Sequence, residues 1–433
     1  MITALLVLAY LFLVAIGLMV FWDYRQASPI FWFPVSLCLM AIGTFAISDI
    51  SAPSDVVYIA MFFVAMICFI AASALVIISP AAKAAYISFS QRDFSSPRPD
   101  EVAICVLVFI VSCVVTIAYY NAVGYNLFFL LLSGNIGSDY SDLRLATYSG
   151  DNYLAPGYAN QFKNVLLPLT AMTIALWLKQ SRNRVLFYIF SGCAAVGVAI
   201  ALLGTGQRSY LVYTFFALSF GFILHNIGIK SSIKLRHFIL PLIPVVGLLG
   251  LMTGAYAGVG EDGPSAILSK ILERFTTIQQ EGALFGFNYI YPMKTVWFAE
   301  WVSGFKGLMP GVEGSSLAHD IHKVMYGSDR GTVPLSSVGS AYYNGGVLGV
   351  VLLFFALGFL YSHLYLRFLR GERALLRSVT YGFMFFYLTI YVVDSPINLV
   401  DNGVVTIALL LVLRKVRIIG DRYSTTPAVA VNR

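Results

Sequence analysis

The chain is 433 residues long, 59% hydrophobic and only 11% charged, with a mean hydropathy of +0.80. A soluble globular domain carries about 25% charged residues, so a soluble protein is excluded. The net charge of +7 comes with no helix-turn-helix or zinc pattern and is spread over short connections, which argues against nucleic acid as a partner.

Apolar runs near the ~20 residues that cross a hydrocarbon core recur along the chain. They predict spans near 2–22, 29–48, 56–79, 101–120, 162–178, 185–203, 210–225, 238–258, 338–365, 378–393 and 402–413. The expected fold is an all-α polytopic membrane protein with about eleven transmembrane helices (range roughly 10–14), forming a single bundle over 1–433. The first run, "ITALLVLAYLFLVAIGLMVFW", has no basic region before it and no small-residue cleavage site after it, and reads as a retained span. Cys38, Cys68, Cys105, Cys113 and Cys193 all lie inside apolar runs, so they read as small buried residues and not as metal ligands or a disulfide framework.

Assigning the connections alternately to two sides places most of the 28 lysines and arginines on one of them, in short loops around Arg25, Arg92, Lys179, Lys230 and Arg373 and in a tail over 414–433. Short basic loops face the cytoplasm, which predicts an external amino terminus and a cytoplasmic tail. Two external connections, 121–161 and 259–337, are too long to be simple links and too aromatic to be disordered. Helical spacing of apolar residues predicts short helices from Tyr125 to Leu132 and from Ile267 to Trp301, at or in the membrane surface. Beyond them, Gly345 and Gly349 form a GxxxG, which reads as close helix packing. No internal repeat suggests an inverted-repeat transporter.

The external side offers Arg144, Arg208, Arg274 and Arg330 from three connections. A guanidinium holds phosphate through paired charge-assisted hydrogen bonds and stays ionised, so convergence of these four would cradle a diphosphate. Each could equally snorkel to a headgroup at a helix end. Arg208 sits in "GTGQRS", a polar reversal whose glycines let a ligand approach the backbone, at the start of the next helix where anions are favoured. His319 and His322 would share one helix face around Asp320, but no third ligand stands at useful spacing, so a proton-transfer or hydroxyl-binding role is favoured over a metal. Glu273, Glu281, Glu300, Glu313 and Asp329 are acids of the same loop. No Walker loop, GxSxG elbow or post-strand GxGxxG is present, so the substrate arrives already activated.

Four stretches together resemble the Wzy-type O-antigen and oligosaccharide repeat-unit polymerases, including the enterobacterial common antigen polymerases: "GTGQRSYLVYTFFALSFGF", "LERFTTIQQEGALF", "DRGTVPLSSVGSAYYNGGVLGVVLLFFALG" and "DLRLATYSGDNYLAPGYANQFKNVLLP". The resemblance implies a glycosyltransferase of the bacterial inner membrane, with no cofactor and no metal. It would move a growing glycan from undecaprenyl diphosphate onto a lipid-linked repeat unit at the periplasmic face. Arg208, Arg144 and Arg274 would stabilise the departing diphosphate, Glu281 or His319 would take the hydroxyl proton, and Arg330, Tyr148 and His322 would bind diphosphate or glycan. Membrane lipids, a chain-length regulator and a flippase would be its partners. Two other readings share the topology: an O-antigen ligase, kept open by His319, and a non-enzymatic lipid-linked oligosaccharide flippase, disfavoured by spans nearly free of charge.

Overall fold

The structure is a computed structural model that describes residues 2–134, 143–144, 158–181, 183–228, 242–243, 245–248, 250, 279–309, 312, 314, 316–328, 331–333, 335–393 and 395–416. Helix α1 (Ile2–Val20) is followed by four helices that each begin with proline: α2 (Pro29–Ile47), α3 (Pro53–Ile77), α4 (Pro80–Gln91) and α5 (Pro99–Val123). At a first helical position the missing N–H has no partner to lose and the fixed φ suits the helix. Next comes the short α6 (Leu127–Leu132), started by the Asn126 side-chain oxygen, which accepts from the amides of Phe128 at 3.0 Å and Phe129 at 3.3 Å. Then α7 (Tyr158–Gln161) runs through one π-helical turn at Phe162–Leu166 into α8 (Leu167–Gln180), followed by α9 (Arg184–Leu203) and α10 (Ser209–His225). The second half holds α11 (Gln279–Ile290), α12 (Ala299–Lys306), α13 (Leu317–Tyr326), α14 (Ser337–Arg370), α15 (Leu375–Thr389), α16 (Ile397–Asp401) and α17 (Val404–Leu413).

Among the described residues, seven helices are long and apolar enough to cross a membrane: α1, α2, α3, α5, α9, α14, and α15 with its continuation to Val393. The regular structure of the described residues is all helical, and the chain is a multi-pass membrane protein. Spans expected at 210–225 and 402–413 are present as the shorter apolar helices α10 and α17, and the one at 162–178 as the 14-residue α8 with its π turn. The span expected near 238–258 lies largely outside the described residues. In the two long connections, α6 falls within the predicted 125–132 segment. Of the short helices expected from 267 to 301, the stretch from Gln279 is described, and it holds two, α11 and α12, separated at 291–298, where Trp297 and Phe298 both hold positive φ.

Helix α15 is the centre of the bundle, with every residue from Leu375 to Thr389 buried. It crosses α10 so closely that a Cβ on Gly382 would collide with the backbone of Gly221. In the same way Gly358 of α14 brings that helix onto α3, its Cβ position 2.5 Å from the Phe69 carbonyl oxygen. Small residues permit such backbone contact where neither helix gains by hiding from lipid. The GxxxG pair does something else: a Cβ on Gly345 would stand 3.2 Å from the Phe298 ring, and Gly349 faces the Ala341 carbonyl of its own helix across a break at Gly346 (φ 59°, ψ −149°).

Basic residues assigned to one side by alternation meet at one end of the bundle. Buried Arg373 donates to the carbonyls of His225 (3.0 Å), Ser90 (3.3 Å), Arg92 (3.1 Å) and Ile227 (2.5 Å), sealing the ends of α4 and α10. Buried Arg414 pairs with Glu101 at 2.6 Å and with Glu372. The opposite end carries α6, α7 and α11–α13, where Tyr58 of α3 bonds Ser336 at 2.5 Å and stacks on Phe287 at 4.2 Å.

Candidate functional site

The turn between α9 and α10 is built by its neighbours. Gly206 holds φ +72° and donates its N–H to the Leu203 carbonyl at 2.8 Å, which reverses the chain and leaves half-buried Arg208 as the residue that starts α10. Gly204 has no room for a side chain, because Asn126 and the Tyr120 phenol occupy the space. The connection that follows α5 is fastened there: Leu127 N–H donates to the Gly204 carbonyl at 2.8 Å, and Asn126 Nδ2 donates to Ile200 O at 3.4 Å. Leu127, Phe128, Leu202, Leu203 and Leu211 form a small apolar cluster under this junction. Leu143 packs on the same cluster, and the Tyr125 hydroxyl donates to its carbonyl at 2.7 Å. Arg144 follows Leu143, so two of the four predicted arginines flank one cluster although 64 positions separate them. Arg274, Arg330 and Tyr148 lie outside the described residues.

Beside this junction an apolar cleft of about 790 Å³ runs between α5 and α9. Phe109, Ile117, Phe190 and Val198 line its length, and Tyr120 and Asn126, the two side chains that abut Gly204, stand at its polar end. Val185, Ile189 and Val196 of α9 are exposed, so the helix bounding the cleft faces lipid. Cys113 and Cys193 line the cleft as well; Cys193 is exposed, and the expectation of five buried cysteines holds fully for Cys38 and Cys105.

A second depression, about 320 Å³, lies in the long connection between α10 and α14 and is lined by Glu300, Asp320, Ser303, Leu317, Val296 and Tyr343 among others. Glu300 accepts a hydrogen bond from Asn344 Nδ2 at 2.9 Å. Burial lifts the Glu300 carboxyl above the usual carboxylate range, and the charge of Asp320 adds to the lift; hydrogen bonds from Asn344 and the Leu317 backbone oppose it. Asn344 is placed by the break in α14, and Trp301 anchors α12 to the same helix by donating Nε1–H to Ser340 Oγ at 2.9 Å.

The remaining candidates divide between exposed and structural positions. Glu281 is exposed in the first turn of α11, whose other face buries Ala283 and Phe287. His319 is exposed on α13, one residue before the Asp320 that lines the smaller depression. His322 turns the other way: its Nδ1 lies 2.9 Å from the Ser328 carbonyl, its ring meets Tyr326 at 4.9 Å, and Gly331 packs against it, so it closes the end of α13. Sequence reasoning ranked Glu300 no higher than its neighbours, and it passed over Lys163, which is fully buried. A lysine inside "NQFKNVLLPL", at the head of an apolar run, was the available signal for the latter.

The arrangement places an apolar cleft beside the turn that carries Arg208, and a carboxyl raised above the usual range in a separate pocket. Comparison with known protein families, with curated proteins and with solved structures found no match to this chain.

Proposed function

We propose that the chain is an integral-membrane glycosyltransferase that takes a glycan from a polyisoprenyl diphosphate and adds it to a lipid-linked repeat unit, as its resemblance to the Wzy-type polymerases implies. The observation that carries this reading is the apolar cleft between α5 and α9, which ends at Tyr120 and Asn126, the side chains packed against the Arg208 turn. A hydrocarbon chain suits the cleft, and a diphosphate suits the arginines of the adjoining turn and connection. Positive charge aimed at the leaving diphosphate would lower the barrier to breaking the glycosidic bond. The acceptor hydroxyl would lose its proton to a group of the large external connection, where exposed Glu281 and His319 and the Glu300–Asp320 pocket are the candidates. The basic end of the bundle would face the cytoplasm and the Arg208 end the periplasm, in line with the positive-inside rule.

The test is reconstitution. Purified protein in vesicles with lipid-linked repeat unit should lengthen the glycan, and a deletion strain should cap lipid A core with one repeat unit. A deletion strain that accumulates lipid-linked polymer would assign a ligase instead, and relocation of the unit across the bilayer with no elongation would assign a flippase.

A further inference from the structure

Lys163 lies in the π-helical turn Phe162–Leu166 with no exposed surface. Its ammonium stands 4.5 Å from the centre of the Tyr119 ring and 5.4 Å from that of Tyr120, and no atom among the described residues accepts a hydrogen bond from it. Burying an ammonium without acceptors is costly, and aromatic faces offset only part of that cost. The rings also leave all three of its N–H donors unused. A π turn adds one residue to a helical turn and redirects the side chains around it, a distortion concentrated at functional sites. Here the turn packs against α5, α9 and α10, the three helices that carry the cleft and the Arg208 turn.

Tyr120 links the two features. The Lys163 ammonium stands over its ring; the residue also lines the cleft, and its hydroxyl donates to the Ala201 carbonyl of α9 at 2.7 Å. Leu167, one turn after Lys163, lines the cleft too. The Tyr120 side chain therefore stands between a buried cation and the polar end of a lipid-facing groove. We infer that Lys163 is a phosphate-binding residue for a polyisoprenyl diphosphate whose hydrocarbon chain occupies the cleft between α5 and α9. This rests on the reading of the site as one for a lipid diphosphate. It adds a second cation to Arg208, reached when Tyr120 gives up its bond to Ala201 and its ring swings aside. An ammonium on an unpaired stem meets phosphate as a point charge, so arginine at this position keeps the charge while crowding the rings.

The test measures binding of farnesyl diphosphate, farnesol and phosphatidic acid to the purified protein in nanodiscs of zwitterionic lipid. Lys163→Met should weaken farnesyl diphosphate binding about tenfold or more and leave farnesol binding within about twofold of wild type, as loss of charge-assisted bonds to phosphate requires. Lys163→Arg should retain most of the diphosphate affinity. Unchanged diphosphate affinity in Lys163→Met would overturn the inference, and if Arg208→Ala still weakened binding the functional reading would stand without it. Absence of diphosphate binding in the wild type would overturn both. Equal affinity of the wild type for phosphatidic acid and farnesyl diphosphate would overturn the polyisoprenyl occupant. If the methionine variant does not fold, the wild-type protein decides: the 15N resonance of the Lys163 ammonium should move on addition of farnesyl diphosphate and stay with farnesol, and an unmoved resonance would overturn the assignment.

Discussion

The backbone N–H of Phe298 donates to the carbonyl oxygen of Asn344 at 2.8 Å, and the N–H of Val296 donates to that of Tyr343 at 3.2 Å. These carbonyls precede the break at Gly346, where α14 departs from helical geometry. A spanning helix tolerates such a break only where other groups satisfy the freed backbone. The long connection before α14 supplies them, and Trp297 and Phe298 hold positive φ to do so (50° and 66°). Strain of roughly 1–3 kcal/mol per residue marks positions that the surroundings over-determine. The break is thus the joint through which the bundle orients α12, and with it Glu300.

Gly346→Ala should destabilise the fold by about 1–3 kcal/mol, because φ 59° with ψ −149° belongs to glycine alone. Thermal unfolding in detergent reads this as a lowered midpoint. A variant as stable as wild type would mean the break can close.

Gly382→Ala should be more damaging, roughly 1–3 kcal/mol or above, since the new methyl meets the Gly221 backbone and no side chain can move away. Gly192→Ala in α9 is the control. Nothing lies within 4 Å of its Cβ position, so its effect should stay within about 0.5 kcal/mol. Size-exclusion profiles and melting midpoints of the two variants should diverge accordingly.

Glu300 predicts a pH dependence. Its folded-state pKa is raised above the unfolded value, so its contribution to stability is fully present below the unfolded pKa and is lost as pH rises through the folded one. Glu300→Gln, still able to accept from Asn344 and Leu317, should remove that loss and flatten the stability profile above the ordinary carboxylate range. Glu300→Ala leaves those donors without their acceptor and should be less stable than Glu300→Gln at every pH. Melting midpoints across a pH series check both.

Arg208→Ala and Arg144→Ala should each reduce glycan elongation by about 10²–10³-fold while leaving membrane insertion intact. Arg208→Lys should also be poor, since a point charge does not reproduce a planar fork. Wild-type polymer length in either alanine strain, read from its glycan ladder, would sink the diphosphate cradle.

Arg373→Met should lower stability by about 3 kcal/mol, because four carbonyls from α4, α10 and their following turns lose a shared buried donor. Fluorescence-detected chromatography of the expressed variant should show aggregation.

Run length and composition carried the membrane class, the bundle helices and the basic end, because hydropathy and charge are local properties that a bilayer reads one segment at a time. The α6 segment was legible for a similar reason, its apolar run following a polar cap at Asn126. Pairings between distant positions were not legible. That Gly358 and not the GxxxG pair packs a neighbouring helix, that His322 closes a helix end, that Leu143 brings Arg144 to the cluster beneath Arg208, and that Tyr120 stands between Lys163 and a lipid-facing cleft all depend on which helices meet and at what rotation. Those choices are made by backbone clearance at glycines and by the demand that every freed carbonyl in a spanning helix find a donor, and both conditions exist only once the chain is packed.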